Sequence, residues 1–361
     1  MTEPQTEFDQ QKAEAFAELL LNALNHAGLC LMASVGHRTG LFDAMRALPP
    51  STSTEIARAA SLNERYVREW LGAMVTGGVI EFDPHSGKFF LPPEHSAFLT
   101  RAAGGDNLAV YTQFIASLGS VESEIVECFR HGGGVPYSRF PRFHEVMAED
   151  SHQSVVSSLE SAVLPLVPGL KDSLERGISA LDLGCGRGLA FLRLAELFPR
   201  SQFRGLDLSE EAVEWANQEA ARRGLSNVEF EVTDLSDFDE RAEPNSVDFI
   251  TTFDAIHDQA RPLNVLKGIH RALKPQGIYL MQDISGTSHL HQDREHPLGT
   301  LLYTVSCMHC MTVSLAQGGE GLGAMWGEEN TREYVTKAGF RSIEIHKIDQ
   351  DITNNWYVIR K

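Results

Sequence analysis

The segment Leu181-Asp182-Leu183-Gly184-Cys185-Gly186-Arg187-Gly188 constrains the fold more than any other part of the chain. An apolar run at 180–183 leads straight into three glycines at alternate positions, and a helical pattern at 189–197 follows. The spacing predicts a strand, a tight turn and a helix. Glycines permit the turn and let a ligand approach the main chain. A pyrophosphate loop of the G-x-G-x-x-G kind would need glycine at 189, where Leu189 stands, and Asp182 would repel such an anion. The acid suits a cationic or hydroxyl-bearing ligand.

Downstream, apolar runs at 202–206, 228–232, 247–253 and 278–283 alternate with helical stretches, and runs at 343–348 and 356–359 close the chain. Strands that alternate with helices predict a mostly parallel sheet covered on both faces, seven-stranded in all. Two acids stand at strand ends. Asp207 ends the second strand, where a carboxylate can accept from ribose hydroxyls. Asp234 follows the third, placed to accept from an exocyclic amine such as that of adenine.

The N-terminal third has another pattern. Residues 12–35 read as a helix, with Phe16, Leu19, Leu20, Ala23, Leu24 and Ala27 at three- and four-residue spacing. A short helix opens at Ser53-Thr54-Glu55-Ile56, and a second runs from Glu64 to Thr76 with Val67, Trp70, Leu71 and Met74 on one face. Gly77-Gly78 stops it, and short strands at 79–82 and 88–91 flank a turn. Helix, turn, helix and wing make a winged helix.

Does it read DNA? Between residues 51 and 99, Arg58, Arg65, Arg68 and Lys88 stand against Glu55, Glu64, Glu69, Glu81, Asp83 and Glu94. Phosphate binding needs the opposite balance. The expected role is a scaffold that packs on a second subunit or roofs an active site. The whole chain agrees, with 31 basic against 49 acidic residues and a net charge of −18. No unbroken run of 18 apolar residues occurs, so no membrane-spanning helix and no membrane partner is expected. The acidic, polar N-terminus does not read as a secretory signal. Five cysteines at irregular spacing make no disulfide framework, and a reducing cytoplasm is the expected compartment.

Taken together, LDLGCGRG, GLDLSEEAVEWA, FEVTDL and LKPQGIYLMQD resemble the ordered motifs of class I S-adenosylmethionine-dependent methyltransferases. The resemblance implies a Rossmann-like α/β core with S-adenosyl-L-methionine as cofactor. It implies that the loop of Gly184, Cys185, Gly186 and Gly188 abuts the methionine part, that Asp207 binds the ribose and that Asp234 and Leu235 frame the adenine. Asp182, Leu208, Phe253 and Asp254 are nominated for the same cofactor site. The plan of winged helix, connecting helices and core is similar to that of caffeate-type small-molecule O-methyltransferases, and FDAIHDQ and SLAQGGEGLGAMWGE resemble a bacterial and invertebrate group of winged-helix methyltransferases. The implied organisation is an N-terminal helix and winged helix over 1–103, a helical connector over 104–170 and the methyltransferase domain over 171–361. A homodimer and a small-molecule acceptor follow from the same likeness.

In that plan His257, in the sequence Ile256-His257-Asp258-Gln259, takes the place of a general base. An imidazole with its ordinary pKa near 6.5 suits the removal of a hydroxyl proton. Asp254 and Asp258 flank it. Residues 285–327 form an insertion whose most unusual part is Cys307-Met308-His309-Cys310-Met311. One Cys-x-x-Cys pair with no evident partners after it is a weak metal signal, and no metal is expected. The soft side chains of Met308, Met311, Met325 and Trp326 are expected to line the acceptor pocket. The leading reading is methylation of a small molecule, on oxygen with His257 as base. The alternative is a cofactor-sensing transcriptional regulator built on the same fold.

Overall fold

The computed structural model describes residues 8–349 and 351–361, and the acidic N-terminal stretch read above lies partly outside them. The chain divides into two compact units at 116/117.

In the first unit, α1 (Gln10–Arg38) starts at Asp9, whose side chain accepts from the Gln11 and Lys12 N–H groups. Only its C-terminal end is buried. α2 (Leu41–Arg46), α3 (Ser53–Ala59) and α4 (Glu64–Thr76) follow. A reciprocal cap between Thr52 and Glu55 fixes the start of α3, satisfying N–H groups the first turn leaves free. The face of α4 made by Val67, Trp70, Leu71 and Met74 is buried, as the spacing requires. Trp70 packs edge-to-face on Phe42 at 5.3 Å and donates its indole N–H to the Met32 carbonyl. The antiparallel wing pairs β1 (Glu81–Asp83) with β2 (Lys88–Phe90). Arg65 and Arg68 pair with Glu69 and Glu64 on α4 itself.

By length and mean hydropathy, α1 and the continuous helical stretch Gly299–Ala316 reach what a membrane span needs. The expectation drawn above rests on unbroken apolar runs, and a few interspersed polar residues do not bring the mean hydropathy of these helices below that level. Phe16, Leu19, Leu20, Leu21 and Leu24 of α1 are exposed.

The second unit is built on one seven-stranded sheet. Its strands are β3 (Ser179–Leu183), β4 (Gln202–Asp207), β5 (Val228–Val232), β6 (Val247–Phe253), β7 (Leu273–Ile284), β8 (Ser342–Ile348) and β9 (Asp351–Arg360). They lie in the order β5-β4-β3-β6-β7-β9-β8, parallel from β5 to β7, with β9 antiparallel to both its neighbours, β7 and β8. The chain enters at β3, runs outward through β4 and β5, and returns to β6 on the other side. That reversal opens a crevice at the carboxyl ends of β3 and β6, where open α/β sheets bind ligands.

Strand periodicity divides the core between two faces. Trp356 and Val358 pack with Phe191 and Phe203 on one, while Tyr357 and Ile359 pack with Leu266 and Ile269 on the other. Each such fully buried side chain contributes about 1.5–3 kcal/mol. The stretch expected as a connector supplies Val155, Leu159, Val163 and Leu164 to the first of these layers, so it belongs to the core.

Candidate active site

β3 delivers the chain to the crevice, and the glycine loop then turns it away. Gly184 and Cys185 donate their N–H groups to the Leu206 carbonyl, which staples the loop to β4. Gly186 takes φ +52°, and the position its Cβ would occupy is open, so the loop offers bare main chain. Gly188 takes φ +65°, and a Cβ there would lie 2.1 Å from the Phe230 ring. The two glycines thus have different reasons: one faces the crevice, the other packs on a phenyl ring.

Asp207 is held by the same loop. Its Oδ2 accepts from Gly186 N–H at 2.7 Å and its Oδ1 from Ser209 N–H at 2.8 Å. Each oxygen keeps a lone pair, so the carboxylate is oriented yet can still accept from a diol. Beneath it, Asp182 is buried and accepts from the Thr251 hydroxyl at 2.8 Å. Burial pushes its carboxyl up to about 7, against the lowering effect of that hydrogen bond. Asp234 accepts from Ser236 N–H, and Leu235 is buried next to it.

All eleven residues nominated for the cofactor lie on one cavity of about 790 Å³: Asp182, Gly184, Cys185, Gly186, Gly188, Asp207, Leu208, Asp234, Leu235, Phe253 and Asp254. A concave site of this size, with bare backbone, an oriented carboxylate and a buried acid, fits a nucleoside carrying a cationic group. Sequence reasoning missed Arg187, whose guanidinium pairs with Glu211 and lies over the Trp215 ring at 5.0 Å. The position inside the glycine motif could have flagged it.

The opposite wall comes from other parts of the chain. Tyr137, Phe140, Phe143, His144 and Met147 arrive from the segment before the core, and Val313 and Gln317 from the insertion. Val135 N–H donates to Thr312 Oγ1, which ties the two segments together. Tyr137 donates its hydroxyl to Asp258 Oδ2 at 3.0 Å, and His144 stacks on its ring at 5.9 Å. Burial lowers the His144 pKa, so its imidazole is neutral at pH 7.

His257 does not reach the cavity wall; it is 3% exposed. Its Nδ1 donates to Asp283 Oδ1 at 2.7 Å, and its Nε2 lies 3.2 Å from Asp258 Oδ1. Burial alone would lower its pKa, but the two carboxylates outweigh it and hold the imidazole well above its ordinary value. The same charge pulls Asp258 down to about 2 against its own burial. The imidazole is thus set behind the cavity wall with its Nε2 toward Asp258, which is not the placement of a base presented to an acceptor that the sequence leads one to expect. Asp254, at φ +49°, accepts from Asn354, and its buried carboxyl is pushed well up by burial and by Asp283.

The acceptor-pocket residues expected from the insertion also need correction. Met308 lines a second cavity with Phe129 and Tyr303. Met325 and Trp326 are buried, the indole N–H donating to Asp283 Oδ1 at 3.0 Å, and Met311 packs near Gly321 and Gly323. The helix places Val313 and Gln317 on the first cavity instead, because one face of it is already turned toward residues 321–323.

A family model described as a methyltransferase domain matches residues 174–339, and one described as an Rv2258c-like winged HTH domain matches residues 27–101. The second unit thus carries a match to a methyltransferase domain on a Rossmann-like sheet, and a winged-HTH match precedes it in the chain. The ubiquinone biosynthesis O-methyltransferase of Neisseria meningitidis serogroup C is 31% identical over 121 residues, 32% of this chain and 49% of that protein. The match therefore spans about half the length of that relative. Among solved structures, human N-acetylserotonin methyltransferase in complex with SAM superposes with a TM-score of 0.67 at 18% identity, covering 100% of this chain and 99% of that one. The mitomycin 7-O-methyltransferase gives 0.68 at 20% identity, covering 97% and 100%. At these identities the likeness is one of fold.

Proposed function

We propose that the protein transfers a methyl group from S-adenosylmethionine to an oxygen of a small molecule. The observation that carries this reading is the cavity itself: eleven residues nominated by methyltransferase motifs form one wall, and aromatic rings with a neutral imidazole form the other. Bound in that cradle, the cofactor supplies a sulfonium methyl. Asp207 would hold the ribose diol, Leu208 and Leu235 would flank the adenine, and Asp182 would face the methionine ammonium. Phe140, Phe143 and Tyr137 position the acceptor and exclude water from it. The methyl group would pass to the acceptor oxygen, with the electron pair of the broken carbon–sulfur bond left on sulfur. His144 takes the hydroxyl proton, as the imidazole on the wall, its pKa lowered by burial so that a ring nitrogen keeps its lone pair. Most of the rate comes from holding the two partners in line.

The regulator reading is disfavoured by α4, whose two arginines are already neutralised by its own glutamates. The exposed apolar residues of α1 are covered by a second copy of the chain in this proposal. Light scattering should give about twice the 39.9 kDa chain mass. A monomer that floats with vesicles would assign that face to a membrane instead.

Methyl transfer is tested with isotopically labelled S-adenosylmethionine and a panel of phenols, quinols and hydroxylated heterocycles. Acceptor-dependent appearance of S-adenosylhomocysteine and of a labelled product supports it. Tight cofactor binding without turnover on any acceptor, with salt-sensitive DNA binding, would favour the regulator.

A further inference from the structure

Behind the aromatic wall lies a group of side chains that methyl transfer does not use. His257 Nε2, a carboxylate oxygen of Asp258 and Cys310 Sγ all lie within 4.8 Å of one another, and all three residues are buried. Next to them is His309, 0% exposed, with neither ring nitrogen in a hydrogen bond. Its Nδ1 lies 3.7 Å from Asp258 Oδ2. Asp258 Oδ1, 3.2 Å from His257 Nε2, likewise receives no hydrogen bond. Buried polar atoms without partners are costly, and Asp258 Oδ1 is one of them beside this group of donors.

The surroundings are arranged for a cation. The hydrogen bond from His257 Nδ1 to Asp283 fixes the ring so that Nε2 is the coordinating atom, the arrangement found behind metal-bound histidines. Asp283 is in turn held by the Trp326 indole and the Ile284 N–H. Tyr137 holds the other side of Asp258. His309 and Cys310 sit on a π-helical turn, Ser306–Cys310, a local widening that concentrates at functional sites.

We propose that His257, Asp258 and Cys310 form a zinc site. One imidazole, one carboxylate and one thiolate are a borderline-soft donor set that suits Zn²⁺ and not Mg²⁺ or Ca²⁺. With bonds of 2.0–2.3 Å, tetrahedral donors lie roughly 3.3–3.8 Å apart; His257 Nε2 and Asp258 Oδ1 are already 3.2 Å apart, and the third donor lies within 4.8 Å of the other two. Binding releases the Cys310 thiol proton and any proton on His257 Nε2 to solvent. Three protein ligands leave the fourth position to water. The site ties the loop after β6 to the insertion, beneath the ring stack of Phe143 on His309 at 3.6 Å. The Cys-x-x-Cys pair looked partnerless because its partners lie about fifty residues upstream; Cys307 takes no part. The site stands or falls independently of the methyl-transfer reading.

The test uses the full chain without an affinity tag, grown with added zinc, then loaded with cobalt after chelation. About one zinc per chain is expected, with a thiolate-to-cobalt band in the near ultraviolet and the strong visible absorption of a tetrahedral ion. Cys310→Ser should abolish the thiolate band and weaken zinc binding by about 10- to 100-fold or more, while Cys307→Ser keeps both. Asp258→Asn, judged folded by circular dichroism, should show the same loss of affinity. Wild-type protein that takes up neither metal, or a thiolate band that survives in Cys310→Ser, overturns the site.

Discussion

The two walls of the cavity are built in different ways. The cofactor wall is made of strand ends and the short turns that follow them, and its decisive groups are main-chain atoms and two carboxylates. The acceptor wall is made of side chains from a segment at 137–148, one face of a helix at 311–317 and the loop after β6. The first wall is local in sequence at each motif, while the second exists only when stretches some 175 residues apart are joined, as Val135 and Thr312 are. A fold can keep the first wall fixed and vary the second, which is where acceptor choice must lie.

If that division is right, substitutions on the two walls separate kcat from cofactor affinity. The largest effect is expected at His144. His144→Ala should lower turnover by about 100- to 10,000-fold, the range for loss of a general base, with S-adenosylmethionine binding nearly unchanged. Because burial lowers its pKa, the wild-type kcat/KM should stay level above the ordinary histidine range and fall only below it. His257→Ala should act elsewhere. It leaves Asp283 and Asp258 buried without their cation and should destabilise the fold by about 3–5 kcal/mol in urea titrations. Near-normal turnover in His144→Ala, with a lost pH limb in a folded His257→Ala, would restore His257 as the base.

On the other wall, Asp207→Ala removes the oriented acceptor. A hydrogen bond to a charged group is worth about 1.5–3 kcal/mol, so calorimetry should show an affinity loss of about 10- to 150-fold. An unchanged affinity in folded protein would take the ribose away from Asp207.

The two glycines sharpen the comparison within the loop. Gly186→Ala puts a methyl group into the cavity and should weaken cofactor binding by roughly 10-fold, with a backbone strain of about 1–2 kcal/mol from its positive φ. Gly188→Ala drives a Cβ into Phe230, so its cost should appear mainly as about 1–3 kcal/mol of overpacking beyond the same strain. Equal stability losses with equal affinities would show that neither glycine is reserved for a ligand.

How much of this was legible? The seven strands, the winged helix and the glycine loop were, because each is specified by local periodicity or by residues with few conformational choices. That the eleven positions nominated for the cofactor meet on one cavity follows from the same local signals. Tyr137 and His144 were not legible, since nothing in their neighbourhood shows that Asp258 and the loop after β6 will come to meet them. Met308, Met325 and Trp326 misled because a soft side chain in an insertion fits a pocket and a core equally well. His257 was found at its place by resemblance and Asp258 stands next to it in the chain, but its Asp283 partner depends on β7 running past it.

The smallest expected effect is a pH dependence at Asp182. Its carboxyl ionises at about 7 in the folded protein without ligand and near 4 when unfolded. The neutral form is the one the fold prefers, so this group's contribution to stability is complete at low pH and is lost as pH rises toward 7. A ligand ammonium reverses the preference. Cofactor affinity should therefore rise a few-fold as pH passes through 7 and then level off, and Asp182→Asn should flatten the profile. A wild-type profile that falls with pH would remove Asp182 from the ammonium.

The most direct measurement is a crystal structure with S-adenosylhomocysteine. The ribose is predicted on Asp207, the adenine between Leu208 and Leu235, the amino group toward Asp182 and the sulfur facing the His144 side of the cavity. A ligand lodged in the second cavity by Phe129 and Tyr303, or one in the first cavity with its sulfur turned away from His144, would contradict the account.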